Sequence, residues 1–126
     1  MGVHADRALG YVYSIGDDGK FRLTDVTSHS VVTDIQPNSS SSVGLKHMLF
    51  SESRAVFIIG DGEGWIYMYT QKTHPLEQVC KIQTAAKACI RGLCLNGGGQ
   101  YLVSGAVDGT LSIFELGRPK GERFTK

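Results

Sequence analysis

Proline is scarce in this chain, three residues in 126, while glycine is abundant at sixteen. Average glycine usage is about 7%, so the excess is roughly twofold. Without a Pro-rich low-complexity stretch, that much glycine points to many tight turns and not to disorder. An excess of charge of one sign is missing too. Thirteen basic residues balance twelve acidic ones, for a formal net charge of +1. Such a balance leaves no whole-chain field for nucleic acid or a membrane surface. No apolar run approaches the ~18 residues of a membrane-spanning helix, and no N-terminal segment resembles a signal peptide, so no direct membrane binding is expected. The three cysteines, Cys80, Cys89 and Cys94, include no C-x-x-C pair and cannot all pair within one chain. They read as reduced core thiols in a cytoplasmic protein.

What the sequence does contain is a repeat. Shifted along itself by 45 residues, "YVYSIGDDGKFRLTD" (11–25) falls over "VFIIGDGEGWIYMYT" (56–70), which falls over "YLVSGAVDGTLSIFE" (101–115). Gly19, Gly64 and Gly109 coincide, as do the acidic residues before them, Asp18, Glu63 and Asp108. Upstream, "HMLFSES" (47–53) lies over "GLCLNGG" (92–98), with "VHADRAL" (3–9) a weaker third copy. A period of ~40–45 residues with strand-like content is the signature of propeller blades. Local patterning agrees. Phe21 and Leu23 alternate with Arg22 and Thr24, and Leu111 and Ile113 with Ser112, as in half-buried strands. Acidic-Gly pairs between the runs suit tight hairpin turns, because glycine accepts the positive φ they require. No helical stripe of useful length is present.

The units resemble degenerate WD repeats, most clearly "IRGLCLNGGGQYLVSGAVDGTLSIFEL" (90–116), and the resemblance covers almost the whole chain. It implies an all-β fold: part of a WD-type β-propeller, built of three four-stranded antiparallel blades. The blades would occupy residues 1–38, 43–83 and 88–126, with the last strand of the third falling somewhere in 121–126. Another all-β sandwich or barrel is the alternative. The sequence departs from the family pattern. The Gly-His pair would fall at Ser40-Ser41 and Ala85-Ala86, and the Trp-Asp pair is Thr24-Asp25, Tyr69-Thr70 and Phe114-Glu115. The family's His–Ser–Asp–Trp hydrogen-bond chain is therefore incomplete in every blade. Ser14 with Asp18 and Ser104 with Asp108 remain as candidate turn-to-strand contacts.

Propellers typically have 4–8 blades, so three do not close a ring. One blade face projects on the order of 300 Å². An apolar face of that size bare at each end approaches the limit a soluble monomer tolerates, about 300–600 Å². The expectation is that the remaining blades of a longer parent chain, or a second copy in a homodimer, cover the two ends, blade three of each chain meeting blade one of its mate.

The rhythm Gly60-x-Gly62-x-Gly64 could suggest a phosphate loop, but such loops lead into a helix and here a strand follows. Asp17-Asp18 and Asp61-x-Glu63 lack the ligand spacing of a calcium loop, and the four histidines show no metal spacing, so neither metal nor cofactor is expected. His47 belongs to an innermost strand, with Leu49 and Cys94 at related channel positions. No nucleophile stands on a sharp elbow with a matching base, so the chain does not read as an enzyme. Trp65 follows the turn glycine where the other units carry Lys20 and Thr110. That is a rim position, and tryptophan is enriched at binding hot spots. Packing over a neighbouring blade is the competing reading. Asp17, Lys20, Asp61, Trp65 and Val107 form the candidate partner-binding rim. The Ser-rich "QPNSSSSVG" (36–44) reads as an exposed loop, and the mostly basic tail (117–126) as a solvated outer strand that does not bind nucleic acid.

These features suggest a non-enzymatic protein–protein interaction scaffold. The alternative is a membrane-trafficking adaptor, since blades two and three resemble propellers attached to phosphoinositide-binding FYVE zinc fingers. Any lipid-binding module would then lie outside this chain.

Overall fold

Short runs of alternating residues separated by acidic-Gly turns fold as three sheets of four strands each. In the computed structural model the described residues are 2–6, 10–38, 43–52, 54–71, 76–84, 88–96, 100–116 and 124–125. The first sheet contains β1 (Gly2–Asp6), β2 (Tyr11–Ile15), β3 (Phe21–Asp25) and β4 (Ser30–Ile35). The second contains β5 (Leu45–Ser51), β6 (Val56–Asp61), β7 (Trp65–Thr70) and β8 (Glu77–Gln83). The third contains β9 (Ile90–Leu95), β10 (Tyr101–Ala106), β11 (Leu111–Leu116) and the two-residue β12 (Phe124–Thr125). Every sheet runs in chain order with antiparallel neighbours. Among the described residues there is no helix.

The 45-residue period reaches the level of single hydrogen bonds. Val26, Gln71 and Leu116 each donate their N–H to the carbonyl of Gly10, Ala55 and Gln100, closing the same loop three times. Gly19, Gly64 and Gly109 all hold positive φ, between 78° and 86°, a backbone region that costs a side chain strain and glycine nothing. Irregularities repeat as well. A register shift sits between Leu45 and His47 on β5, skipping Lys46, and its counterpart lies where β10 pairs with β9, skipping Arg91. Another falls between Leu23 and Thr24, and again between Met68 and Tyr69. Each bulge recurs at the matched position in two of the three sheets and adds local twist there.

Two apolar clusters join the sheets, and the middle one belongs to both. The first packs Tyr13, Ile15, Phe21 and Leu23 against Leu45, Phe57, Ile59, Tyr67 and Tyr69. Its aromatic centre places Phe57 4.2 Å from Tyr13 and 5.5 Å from Phe21 between ring centroids, with Phe21 5.6 Å from Tyr69. The second packs Val56, Ile58, Ile66 and Met68 against Ile90, Leu93, Leu102, Phe114 and Leu116. Odd-numbered side chains of β6 therefore face one neighbour and even-numbered ones the other, so all six of its residues are buried. That double burial explains why "VFII" is continuously apolar: with a sheet on each side, the strand has no wet face to alternate with.

The innermost strands β1, β5 and β9 lie side by side. Gly60 makes the approach possible, because a Cβ there would stand 2.6 Å from Cγ2 of Ile90. Cys80 and Cys89 are half-buried, but Cys94 is exposed, which corrects the expectation that all three are core thiols. The reason is its side of the sheet. Cys94 pairs with Val103 on the face of β9 and β10 that no other sheet covers.

A rim of turns and a buried carboxylate

The three β2–β3-type turns, at residues 16–20, 61–65 and 106–110, are each held by an aspartate, in two different ways. In the first and third turns the acid is exposed and caps its own loop. Asp18 accepts the Lys20 N–H at 3.2 Å and an Arg22 guanidinium N–H at 2.8 Å. Asp108 accepts both the N–H of Thr110, at 3.0 Å, and its hydroxyl, at 2.7 Å. Arg22 lowers the Asp18 carboxyl below the usual aspartate value, and the Thr110 hydroxyl does the same for Asp108. These carboxylates serve their own turns, so the expected contacts from Ser14 and Ser104 are not made. A carboxylate two residues from an N–H closes an Asx-type turn locally, with no need of the neighbouring strand.

In the second turn the acid is Asp61, which is completely buried. One oxygen accepts the N–H groups of Glu63, at 2.8 Å, and Trp65, at 2.9 Å. The other accepts the Tyr67 hydroxyl at 2.7 Å and the Asn38 side-chain amide at 3.2 Å. This corrects the placement of Asp61 on the rim: it lies beneath the turn, with four donors around it. The repeat register carried the signal, since 45 residues to either side Asp61 aligns with Gly16 and Ala106, which open their turns beside the strand ends, and not with the turn acids Asp18 and Asp108. Burial first, then the hydrogen bond to Asp61, pushes the Tyr67 hydroxyl far above its ordinary pKa. Asn38 is a residue that sequence reasoning missed. It is buried, as are Val43 and Gly44, while Gln36 is exposed, so the supposedly exposed Ser-rich connection is anchored on either side of residues 39–42. The middle of that connection (39–42), Ala85-Ala86 and the tail at 117–123 lie outside the described residues.

Asp17 is exposed and pairs with Lys46 at 3.1 Å, its side chain 76% accessible. Lys46 is the residue skipped at the β5 bulge, which frees it to reach the neighbouring sheet's turn. The Lys20 ammonium stands 3.8 Å from Asp34. Trp65 is half-buried against the first cluster, with the Lys81 ammonium 4.5 Å from its ring centroid, a cation–π contact. It therefore packs on the cluster shared by the first two blades and on Lys81 of its own blade, while keeping part of its surface exposed. Val107 is 55% exposed. The five residues come from equivalent turns of three sheets, with four at the surface and Asp61 inside. Beside Asp17 a cleft of about 460 Å³ opens, bordered by Val3, Ser14, Gly16, Asp18 and Arg22. Among the described residues, no group of three or more His, Cys, Asp or Glu side chains is arranged to hold a metal ion.

No family model matches the chain, and no curated protein does either. Solved structures do. The C-terminal WD40 domain of Sif2 superposes with a TM-score of 0.72 at 16% identity, over 86% of this chain and 32% of that one. Raptor from Chaetomium thermophilum gives 0.70 at 20% identity, over 98% of this chain and 11% of its own. The computationally designed Ika8 protein gives 0.69 at 18%, over 90% of this chain and 32% of its own. This chain thus spans about a third or less of the length of each of these three structures. The likeness establishes the fold: an all-β arrangement of three four-stranded antiparallel blades of the WD40 propeller type.

Proposed function

We propose that the chain is a non-enzymatic scaffold that displays rim side chains to protein partners. The observation that carries this reading is the construction of the turns. Each is fixed by an aspartate, and Asp17, Lys20, Val107 and the exposed part of Trp65 project from backbone that is already ordered. Side chains held in this way lose little conformational entropy on binding, which favours recognition. The set mixes an acid, a base, an aliphatic residue and an aromatic anchor, a composition suited to a peptide or protein surface.

Affinity purification with the wild-type chain, Asp17→Lys and Val107→Asp tests the rim. Proteins recovered with the wild type should be lost with either variant and retained with Val32→Lys, an exposed substitution on β4 away from the turns. Equal recovery across all the chains would refute the rim assignment.

A further inference from the structure

The two outer blades present unlike faces, and the internal repeat shows what each position does when covered. One row per blade faces the next blade around the axis. In the first blade it is Tyr11, Tyr13, Phe21 and Leu23, and in the second Val56, Ile58, Ile66 and Met68; both rows are packed into the clusters. Forty-five residues on, the third blade offers Tyr101, Val103, Leu111 and Ile113. Among the described residues no further blade covers this row: Leu111 is 73% exposed, Ile113 63% and Tyr101 39%. Both covered rows are large and apolar, and so is this one.

The opposite row faces the previous blade. In the second blade it is Phe57, Ile59, Tyr67 and Tyr69, all buried. In the third it is Leu102, Ser104, Ser112 and Phe114, with large side chains at both ends. In the first blade the same positions hold Val12, Ser14, Arg22 and Thr24. Arg22 is engaged by Asp18 at 2.8 Å and by Asp34 at 3.6 Å. The expectation of an apolar face bare at each end is thus corrected: the first blade's open face is mixed and charged.

We infer that the Tyr101–Val103–Leu111–Ile113 face is a docking surface for a further four-stranded blade from outside residues 1–126, one whose facing row is large and apolar. Continuity with the two internal interfaces carries the assignment, since the equivalent positions are buried there by a following blade whose facing row is large and apolar throughout in the second blade and at both ends in the third. Charge argues against the first blade of a second copy. Docking it would strip water from Arg22 and its carboxylates against aliphatic side chains, and a desolvated ion pair returns little of that cost. The acid on the docking face, Glu115, stands three residues along β11 from the level of Arg22, about 10 Å away. The inference concerns blade faces and not the rim, so either reading can fail while the other stands.

The test gives this chain the missing row. Val12→Phe, Ser14→Ile, Arg22→Tyr and Thr24→Tyr rewrite the first blade's open face in the image of Phe57, Ile59, Tyr67 and Tyr69. A second chain carries only Arg22→Tyr and Thr24→Tyr, in case the fourfold variant does not fold. Circular dichroism checks folding, and sedimentation velocity measures self-association. The rewritten chains should self-associate about tenfold or more tightly than the wild type, and adding Leu111→Lys and Ile113→Lys should abolish the gain. Folded rewritten chains that associate no more than the wild type would overturn the inference. So would a gain that survives the two lysines. Wild-type association lost through both Leu111→Lys and Arg22→Glu would overturn it too, by showing that the first blade is already the mate.

Discussion

Replacing Asp61 with alanine removes one acceptor from four donors at once. The Tyr67 hydroxyl and the Asn38 amide are buried, so each would lose its hydrogen bond to Asp61 where water does not replace it. Losing a buried acceptor in this way costs about 1–3 kcal/mol per donor. The N–H groups of Glu63 and Trp65 are only partly buried and recover some hydration, so their loss adds less. We expect a total of about 3–5 kcal/mol, a large share of the ~5–15 kcal/mol that holds a domain together. In thermal terms that is a drop of about 10–20 °C for a chain of this size. Asp61→Asn should cost only about 1–2 kcal/mol. Its remaining oxygen still serves both N–H groups, the Tyr67 hydroxyl can turn to accept, and the Asn38 amide can flip.

Urea titrations followed by circular dichroism and by fluorescence measure both variants. Trp65 is the only tryptophan in the chain and donates to Asp61 itself, so its emission reports the turn directly. Coincident midpoints from the two signals establish a single transition. An alanine variant within about 0.5 kcal/mol of the wild type would refute the claim that the carboxylate braces the second turn. An asparagine variant as unstable as the alanine one would show that the charge matters and the acceptor geometry does not.

Two further outcomes follow from the packing and from Tyr67. Gly60→Ala places a methyl 2.6 Å from Cγ2 of the buried Ile90, and it should destabilise the chain by about 1–3 kcal/mol. Combining it with Ile90→Ala should cost less than the two single changes together, and strict additivity in that cycle would rule out the contact. Burial raises the folded-state pKa of Tyr67 above its ordinary 10.0, so the folded chain keeps a proton that the unfolded chain loses. The stability this provides is complete below about pH 10 and drains away as pH rises beyond it. Denaturation midpoints in that range should fall less steeply for Tyr67→Phe than for the wild type, and equal slopes would exclude the linkage.

Most of the strand plan could be read from the sequence because two physical signals coincided. A period-two apolar pattern marked the strands, and acidic-Gly pairs recurring at a constant interval marked the turns between them. Yet which face of each strand has a neighbour depends on how the blades stack, and a single blade's pattern does not contain that. Hence Cys94 reads as a core residue but lies on an uncovered face, while the serine-rich connection reads as exposed but is buried at Asn38, Val43 and Gly44. Asp61 was misplaced for a different reason. An aspartate beside a glycine looks like turn chemistry, and only its register against Gly16 and Ala106 separates it from Asp17 and Asp18. Asn38 gave no local signal at all, since its partner is 23 residues away.

Asp61 also bears on why the degenerate repeats still make ordered rims. No blade has the full hydrogen-bond chain of the family it resembles, so something else must stiffen the turns. At the outer blades the answer is local and wet: Asp18 and Asp108 are exposed, and water competes with every bond they make. At the middle blade it is buried, and it links the connection at Asn38, the turn at Glu63 and Trp65, and the strand at Tyr67 through one carboxylate. Hydrogen bonds shielded from water are stronger and reinforce one another. The second turn also rests on a sheet packed on both faces. Trp65 is thus held twice, by its N–H on Asp61 and by its ring under Lys81. On the proposed rim an anchor held in this way loses little freedom on binding, which would place the middle blade at the centre of the surface it presents.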